Sequence, residues 1–243
     1  MMANRSMLEL KGISKAFGAI VVASDIDLTL SRGEALGVIG PNGAGKSTLF
    51  NLITGMLRPD RGRIILEGED ITQMPPEARC RAGLGRSFQI PLPFTHLTVF
   101  ENLSVAALFG AQVSEAEAVQ LCGEILSLTG LETKANVLAG SLPLLDRKRL
   151  ELARALATRP RILLLDEIAG GLTDAECHLL VETIREIRKG GVAIIWIEHV
   201  VHALLAVVDG LIALDFGKIA TQGAPADVMR SKEVQAIYMG VPA

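Results

Sequence analysis

Aromatic side chains are scarce in this sequence, which has 4% aromatic residues among 243, including one tryptophan and one tyrosine. No charge sign dominates either, because 24 basic residues stand against 27 acidic ones and leave a net charge of −3. A chain with 49% hydrophobic residues and so little net charge is not intrinsically disordered. It also lacks the basic surface on which many nucleic-acid-binding proteins rely, so we expect no nucleic acid as a partner.

No apolar run is long enough to cross a membrane without interruption. The longest apolar region is residues 194–214, and it is interrupted by Glu198, His199, His202 and Asp209. A transmembrane helix needs about 20 consecutive residues that are almost free of charge, so we predict no such helix. Met1–Leu10 also lacks the continuous apolar stretch of a secretory signal peptide.

Cysteine is rare as well, and the three cysteines are far apart, at Cys80, Cys122 and Cys177. Their spacing matches no zinc motif, and an odd number of cysteines cannot pair completely. We interpret them as reduced thiols of a cytosolic protein, mostly small core residues.

Short apolar runs rich in valine, isoleucine and leucine alternate with helical patterns along the chain. This alternation predicts an α/β fold with a mainly parallel sheet that is covered on both faces. The runs most typical of buried strands are Ala35–Ile39, Arg161–Leu165, Val192–Ile197 and Gly210–Leu214. Runs more typical of an antiparallel β subdomain, or of a strand followed by a turn, are Met7–Lys11, Ile26–Leu30 and Arg63–Leu66.

The middle of the chain differs, because residues 90–130 have a helical pattern and no strong strand signal. Prolines mark the start of this region, and Gly140–Pro143 marks its end. We therefore predict an α-helical subdomain at residues 90–154, inserted into an α/β core formed by residues 1–89 and 155–224. The predicted C-terminal tail, residues 225–243, contains a short helix at Pro225–Arg230.

A glycine-rich segment follows the first of the predicted parallel strands. Its residues fit the pattern G-x-x-x-x-G-K-[ST] at every required position: Gly40, Pro41, Asn42, Gly43, Ala44, Gly45, Lys46 and Ser47. Glycines let successive backbone N–H groups turn toward one concavity, and the positive end of a helix predicted at Ser47–Ile53 faces the same place. The alternative is an ordinary glycine-rich turn before a helix that ends at Gly55.

The pattern predicts a site for a nucleoside triphosphate with Mg²⁺. Lys46 would bring a full positive charge to the β- and γ-phosphates, and the Ser47 hydroxyl would bind Mg²⁺. Thr48, the next residue, is included in the predicted phosphate-binding set.

The strand predicted at Arg161–Leu165 ends in two carboxylates, Asp166 and Glu167. Asp166 is placed to hold Mg²⁺, and Glu167 to polarise a water molecule for attack on a γ-phosphate. Two carboxylates after a strand are also common as a cap on the next helix. The phosphate motif in the same chain favours the catalytic interpretation.

Taken in order, these motifs resemble the ATP-binding subunits of ABC transporters over residues 7–240. The resemblance implies a P-loop NTPase (RecA-like) core and the ligands ATP and Mg²⁺. It assigns Phe17, in Lys15–Gly18, to a loop whose aromatic ring stacks on adenine. It assigns Gln89, in Arg86–Gln89, to a contact with Mg²⁺ and the attacking water. Leu150–Leu156 is similar to the helix that follows the signature loop of the family.

The resemblance also implies that His199, in Ile197–His199, reaches the γ-phosphate from the end of another strand. A lone histidine is otherwise more often a surface or core residue. His202 has no such support, and we interpret it as a solvated or interface residue.

Within the family, the sequence most resembles importers of branched-chain amino acids, through Gly40–Gly55, Leu97–Leu103 and Leu214–Gly223. Urea and lipid-handling relatives have variants of these stretches. The resemblance implies an ATP-hydrolysing subunit, peripheral at the cytoplasmic face of the cell membrane, which energises uptake through separate membrane permease subunits. An extracytoplasmic solute-binding protein would take part indirectly.

The signature loop, aligned at Leu142–Asp146, departs from the family pattern of Leu-Ser-Gly-Gly-Gln. Pro143 has neither the hydroxyl nor the N–H of the usual serine, and Leu145 would crowd a close approach of backbone to phosphate. Asp146 is expected to oppose an incoming phosphate. Further departures are Ile168 for a usual proline, Thr173 beside Asp174 for a usual aspartate, and Val200 for a common aspartate.

These departures affect parts that one subunit contributes to the other more than the chain's own nucleotide-binding parts. We therefore expect a second, non-identical ATPase subunit as partner, with a homodimer as the alternative. The apolar segment Ile90–Phe94 is either a loop with buried contacts or one side of a groove for a membrane subunit. Residues 100–108 would form the other wall.

Two other functions remain open from the sequence. One is a soluble ABC-type ATPase that acts as a mechanical clamp, although the chain has no coiled-coil insertion, duplicated domain or basic patch. The other is a regulatory module with weak turnover of its own, which the altered signature loop favours. Glu167 argues against it, because a sensor needs no water-activating carboxylate.

Overall fold

The computed structural model describes residues 6–239. Its strands are β1 (Ser6–Phe17), β2 (Ile20–Ser31), β3 (Ala35–Ile39), β4 (Arg61–Leu66), β5 (Glu69–Asp70), β6 (Leu84–Arg86), β7 (Ile162–Asp166), β8 (Ala193–Ile197), β9 (Gly210–Asp215) and β10 (Lys218–Gly223). Its α-helices are α1 (Lys46–Thr54), α2 (Pro76–Arg81), α3 (Val99–Ala106), α4 (Glu115–Thr129), α5 (Leu144–Ala157), α6 (Asp174–Lys189), α7 (Val201–Leu205), α8 (Pro225–Arg230) and α9 (Lys232–Met239).

The larger sheet has the strand order β10-β9-β3-β8-β7-β6. Its strands are parallel from β9 to β6, and β10 pairs antiparallel with β9 at the edge. The predicted α/β class with a mainly parallel sheet is confirmed, and β3, β7, β8 and β9 lie within one residue of their predicted bounds. Two strands were not predicted: β6, which is short and contains Gly85, and β10, which is polar and lies at an edge.

Alternate residues of the central strands face two separate hydrophobic clusters. In β8, Ile194 and Trp196 pack with the side chains of α3 to α7. Ile195 and Ile197 pack with α1 and with the strands of the smaller sheet. Each strand is therefore buried on both faces, which explains its continuous apolar sequence.

The smaller sheet has the order β2-β1-β4-β5, and the pairings are antiparallel. The predicted antiparallel strands form parts of β1 and β2, but each of these strands is 12 residues long. Both strands are longer than predicted because their pairing shifts register between Leu10 and Ile13, where Gly12 has a φ of 59°. Such bulges interrupt the alternation of apolar and polar residues that predicts a strand.

The helical region begins later than predicted. Residues 90–98 form no helix, and α3 starts at Val99 with Thr98 and Glu101 in a capping box. Pro91 and Pro93 disfavour helix in the residues before them, so the apolar pattern from Ile90 was misinterpreted. The predicted subdomain boundary between residues 154 and 155 falls inside α5.

At the C-terminal end, α8 has the predicted bounds, and α9 was not predicted. Val228 and Val234 are buried in the same cluster as the central strands, so the described part of the tail packs against the core. Cys122 and Cys177 are buried, and burial raises the pKa of both thiols. Within residues 6–239, no helix has both the length and the apolar character that a membrane crossing requires.

Candidate functional site

The predicted site residues follow strands that are neighbours in the larger sheet. The order β3-β8-β7-β6 places Gly40, Glu198, Glu167 and Ser87, the residues that follow these strands, along one edge. Ligands of open α/β sheets bind at this carboxyl edge. Strand order therefore explains why segments that are far apart in sequence meet here.

The glycine-rich segment is shaped by its packing against the smaller sheet. Gly45 precedes α1 with a φ of 103°, and a Cβ at this position would lie 2.6 Å from the Val22 carbonyl oxygen. Only glycine satisfies both conditions without strain. Gly55 ends α1 with a φ of 81° and donates its N–H to Leu52, so the predicted helix end is confirmed.

Lys46 is nearly buried, and its ammonium contacts its own loop. Its Nζ atom donates to the carbonyl oxygens of Gly40 at 2.8 Å and Pro41 at 3.0 Å. Burial lowers the pKa of Lys46, and the negative charges of Glu167 and Asp166 oppose that shift. A phosphate in the cleft would offer this ammonium charged acceptors instead of two carbonyls.

The carboxylate of Glu167 connects two of the other predicted catalytic residues. Gln89 donates its Nε2 hydrogen to Oε2 of Glu167 at 2.5 Å, and His199 Nε2 lies 2.7 Å from Oε1. Glu167 has a φ of 48°, in the left-handed region, which turns the chain sharply at the end of β7. The structure thus brings together side chains that follow β6, β7 and β8.

Asp166 is buried and paired with a residue that the sequence analysis did not single out. Its Oδ2 atom lies 2.7 Å from Arg86 Nη2, and Arg86 Nη1 donates to Oδ1 of Asn51 at 2.6 Å. Arg86 precedes Gln89 by three residues in the segment already associated with the site. Its closeness to Gln89 in the sequence was the one indication that Arg86 belongs to the site, but the sequence does not show that Arg86 pairs with Asp166.

A cleft of about 350 Å³ lies over the glycine-rich segment. It is lined by Val22, Asn42, Gly43, Gly45, Lys46, Ser47, Thr48, Gln89 and Glu167. The other predicted residues of the phosphate loop, Gly40, Pro41 and Ala44, are not part of this lining, and neither are Asp166 and His199. Ala44 is buried, Asp166 pairs with Arg86, and His199 contacts Glu167. Val22, which does line the cleft, was missed because strand β2 was predicted to start later.

Phe17 lies at the end of β1, is 50% exposed, and does not line the cleft. Its ring centroid is 5.5 Å from the ammonium of Lys15. The predicted role of Phe17 as a platform for adenine therefore remains a prediction.

The cleft has side chains that could bind a triphosphate with Mg²⁺. Lys46 supplies positive charge, Ser47 exposes a hydroxyl, and Glu167 supplies a carboxylate oxygen. Within residues 6–239, no cluster of three or more histidine, cysteine or acidic side chains is arranged to hold a metal ion by itself. Mg²⁺ is commonly bound by one or two protein oxygens together with substrate phosphates.

The segment aligned with the signature loop forms the start of α5. Pro143 is its N-cap residue and makes no side-chain capping bond, and Leu144 is 50% exposed. The expectation that Asp146 opposes a phosphate is wrong, because its side chain is 3% exposed and pairs with Lys134 and Arg149. The negative charge of Asp146 is thus paired with cationic side chains of the helical region.

The sequence pattern of the family described as "ABC transporter" matches residues 23–170. The chain belongs to this family. The matched part contains the glycine-rich segment, Gln89, Asp166 and Glu167, and it ends before His199. This family member is an ATP-binding subunit that energises transport, and its activity is that of a transport ATPase.

Similar proteins come from more than one branch of the family. The lipopolysaccharide export ATP-binding protein LptB of Acidithiobacillus ferridurans is 34% identical over 238 residues, which cover 96% of this chain and 97% of LptB. The high-affinity branched-chain amino acid transport ATP-binding protein BraF of Pseudomonas aeruginosa is 34% identical over 252 residues, covering 98% of this chain and 99% of BraF.

The fold is similar to that of solved ATP-binding cassettes. The ADP conformation of MJ1267, an ATP-binding cassette of an ABC transporter, has a TM-score of 0.87 at 30% sequence identity, covering 97% of this chain and 99% of MJ1267. The P-loop NTPase fold expected from the resemblance is confirmed by this likeness.

Proposed function

We propose that this chain binds MgATP in the cleft over Gly40–Thr48 and hydrolyses it with Glu167 as the base. The observation that carries the proposal is the contact of the Glu167 carboxylate with both Gln89 and His199, beside Lys46. In the transport cycle, the subunit would lie at the cytoplasmic face of the membrane, bound to permease subunits.

In this mechanism, Lys46, Glu167 and His199 have different roles. Lys46 leaves the carbonyls of Gly40 and Pro41 and binds the β- and γ-phosphates, which neutralises charge that develops during transfer. Glu167 accepts a proton from the attacking water, and its contacts with Gln89 and His199 orient the carboxylate. His199 Nε2 then donates toward the γ-phosphate, and Phe17 stacks on adenine.

Ser47, Gln89 and Asp166 would hold Mg²⁺, which would supply positive charge to the triphosphate. Arg86 sets the position of Asp166 by its hydrogen bond at 2.7 Å. Because that bond uses one carboxylate oxygen, Asp166 would reach the ion with its other oxygen or through a water molecule.

We propose a small hydrophobic solute, such as a branched-chain amino acid, as the cargo. BraF supports this candidate, since its printed name describes branched-chain amino acid transport and it covers 98% of this chain. The test is ATP-dependent uptake of radiolabelled leucine into vesicles that contain this chain with its permease subunits and solute-binding protein. No uptake of leucine, isoleucine or valine above the level of Lys46→Ala vesicles would exclude it.

Lipopolysaccharide export is the second candidate, and the similarity to LptB favours it equally by identity. The two candidates differ in a simple way. An export ATPase of this kind should rescue a strain depleted of its own LptB, whereas an amino acid importer should not. Rescue of growth by this chain would replace the first candidate with the second.

We further propose that the chain works with a second, different ATPase subunit. Pro143 and Leu145 remove the hydroxyl and the space that a signature loop offers to a partner's phosphate, and Pro143 makes no side-chain cap. The competent site would combine this chain's Glu167 with the partner's intact loop. Full stimulated ATPase activity from the purified chain alone would contradict this arrangement.

A double substitution tests the same proposal by restoring the usual residues of the signature loop. Pro143→Ser with Leu145→Gly restores the missing hydroxyl and the open backbone. The variant should gain hydrolysis at the site that its own signature loop completes, measured in a chain that also carries Glu167→Gln, which silences the other site. No gain would count against the role assigned to these two residues.

A further inference from the structure

The peptide segment Glu167–Ala169, which follows β7, is held from two sides by buried charged side chains. Lys148 of α5 donates from Nζ to the Ile168 carbonyl oxygen at 3.0 Å and to the Glu167 carbonyl oxygen at 3.4 Å. Glu198, after β8, accepts the Ala169 N–H at Oε2 over 2.9 Å. Lys148 thus binds carbonyl oxygens of the segment, and Glu198 binds one of its N–H groups.

Both charged groups are almost completely removed from water. Lys148 is 6% exposed, and Glu198 is 1% exposed. Burial lowers the pKa of the Lys148 amine, and the negative charges of Glu198 and Glu167 oppose that shift. A buried charge is tolerated only where hydrogen bonds and an opposite charge compensate for lost hydration, so each group depends on the other's position.

Glu198 also connects this segment to the histidine. Its Oε1 atom accepts the backbone N–H of His199 at 2.9 Å and of Val200 at 3.3 Å. The same carboxylate therefore bridges the backbone beyond Glu167 to the backbone that carries His199. The Glu167 and His199 side chains meet at 2.7 Å in front of this bridge.

The backbone at Glu167 needs such support. Its φ of 48° lies in the left-handed region, which a residue with a side chain occupies only when surrounding contacts hold it there. The Lys148 ammonium contacts the carbonyl of this same residue. Neither Lys148 nor Glu198 lines the cleft, so they can act only through the residues they hold.

We infer that Lys148 and Glu198 are positioning residues, which hold Glu167 and His199 at the relative positions that ATP hydrolysis requires. The inference rests on the proposed function, in which Glu167 activates the water. It assigns a second role to α5, the helix that follows Pro143: besides forming part of the signature loop, it fixes the backbone of the catalytic carboxylate.

The test compares Lys148→Met, Glu198→Gln and the double variant in the full chain, with Lys189→Met on the exposed surface of α6 as the control. ATP hydrolysis is measured over a range of ATP concentrations. Each single variant should lose about tenfold or more in kcat, because a misplacement of about 1 Å can cost about a hundredfold. KM for ATP should stay within about twofold, because the phosphate loop is unaltered.

The double variant distinguishes a cooperating pair from two independent supports. If the two residues hold one segment together, the double variant should have a kcat only slightly below that of the slower single variant. A fold-loss in the double variant equal to the product of the two single fold-losses would contradict cooperation between Lys148 and Glu198. Wild-type kcat in Lys148→Met or Glu198→Gln would overturn the inference outright.

A second readout needs no turnover. Hydrogen–deuterium exchange should become faster at one or more of the N–H groups of Ala169, His199 and Val200 in both single variants, and stay unchanged across residues 40–48; in Glu198→Gln the single amide oxygen can still accept on one side. Unchanged exchange at these three groups, or equal acceleration throughout the chain, would contradict a positioning role. Glu167→Gln serves as the reference: if it hydrolyses ATP normally, the proposed function fails, whereas an inactive Glu167→Gln beside a fully active Lys148→Met refutes only the positioning pair.

Discussion

Arg86 and Asp166 form a buried ion pair, with 2.7 Å between Nη2 and Oδ2 and side chains that are 8% and 6% exposed. The guanidinium carbon of Arg86 also lies 4.8 Å from the ring centroid of Phe88 and 5.4 Å from that of Phe50. One arginine thus joins the end of β7 to α1 and to the segment that carries Gln89. The carboxylate of the expected Mg²⁺ ligand, Asp166, is therefore held by contacts within the protein.

Removing this arginine should destabilise the fold. Arg86→Met leaves the Asp166 carboxylate buried without a counter-charge, which costs about 3–5 kcal/mol in comparable pairs. Arg63→Met is the control, since Arg63 faces Asp70 at 4.0 Å with both side chains exposed, and exposed pairs contribute about 1 kcal/mol at most. The measurement is the free energy of unfolding in urea. Equal losses in the two variants would contradict the account of Arg86.

A pH-dependent effect is expected at Glu151. Burial raises the pKa of this carboxyl above its ordinary value of 4.5, and the charge of Arg154 opposes the shift only in part. Because the folded pKa lies above the unfolded one, the stability that Glu151 contributes is present below about pH 4.5 and is lost as pH rises through the folded pKa.

Glu151→Gln lacks this titration, but its amide oxygen can still accept the Phe88 N–H that Glu151 accepts at 3.3 Å. The free energy of unfolding of the variant, relative to the wild type, should therefore increase between pH 4 and pH 7. Glu186→Gln, on the exposed surface of α6, is the control. A difference that shrinks with rising pH would show that the sign is wrong.

His199 should contribute to turnover more than to ATP binding. His199→Ala removes the ring that contacts Glu167 and donates toward the γ-phosphate, and loss of one such donor to transition-state charge costs about 10²-fold to 10³-fold. We expect kcat to fall by about a hundredfold, with the Kd for ATP little changed. His202→Ala, whose side chain is exposed and lies three residues further along the chain, should retain wild-type kcat. A similar loss in both variants would argue against a specific role for His199.

The apolar segment after Gln89 is the proposed contact for the membrane subunit. Ile90 and Leu92 are 71% and 72% exposed, and Arg154 holds the segment by donating to the Leu92 carbonyl oxygen at 2.8 Å. Phe94→Arg should reduce recovery of the chain with permease-containing membranes and leave ATP binding intact. Val119→Arg on α4 is the matched control. Undiminished recovery of Phe94→Arg would refute this contact.

Much of the parallel core could be predicted from sequence because its strands are buried on both faces. Such strands are continuous apolar runs, as in β3 and β8, and glycine or proline marks their ends. Strand β1 was predicted only in part and β10 not at all, because neither is a continuous apolar run. Bulges near Gly12 disturb the alternation in β1, and β10 exposes most of its polar side chains at an edge.

The site was predictable where a residue acts through its own chemistry in a fixed spacing, as for Lys46 and Glu167. It was not predictable where a residue acts through a partner that is distant in sequence. Arg86 and Asp166 are 80 residues apart, and Lys148 holds a backbone that lies 20 residues further along. Only the folded chain shows that Asp146 turns inward to Lys134.

The central claim is that Glu167 activates water for ATP hydrolysis, and one measurement tests it most directly. Phosphate release from MgATP is compared for the wild type and Glu167→Gln, together with the Kd for ATP, in the assembled transporter. The account predicts that release falls by about a hundredfold or more while ATP stays bound with nearly unchanged affinity. Phosphate release from Glu167→Gln at the wild-type rate would contradict it.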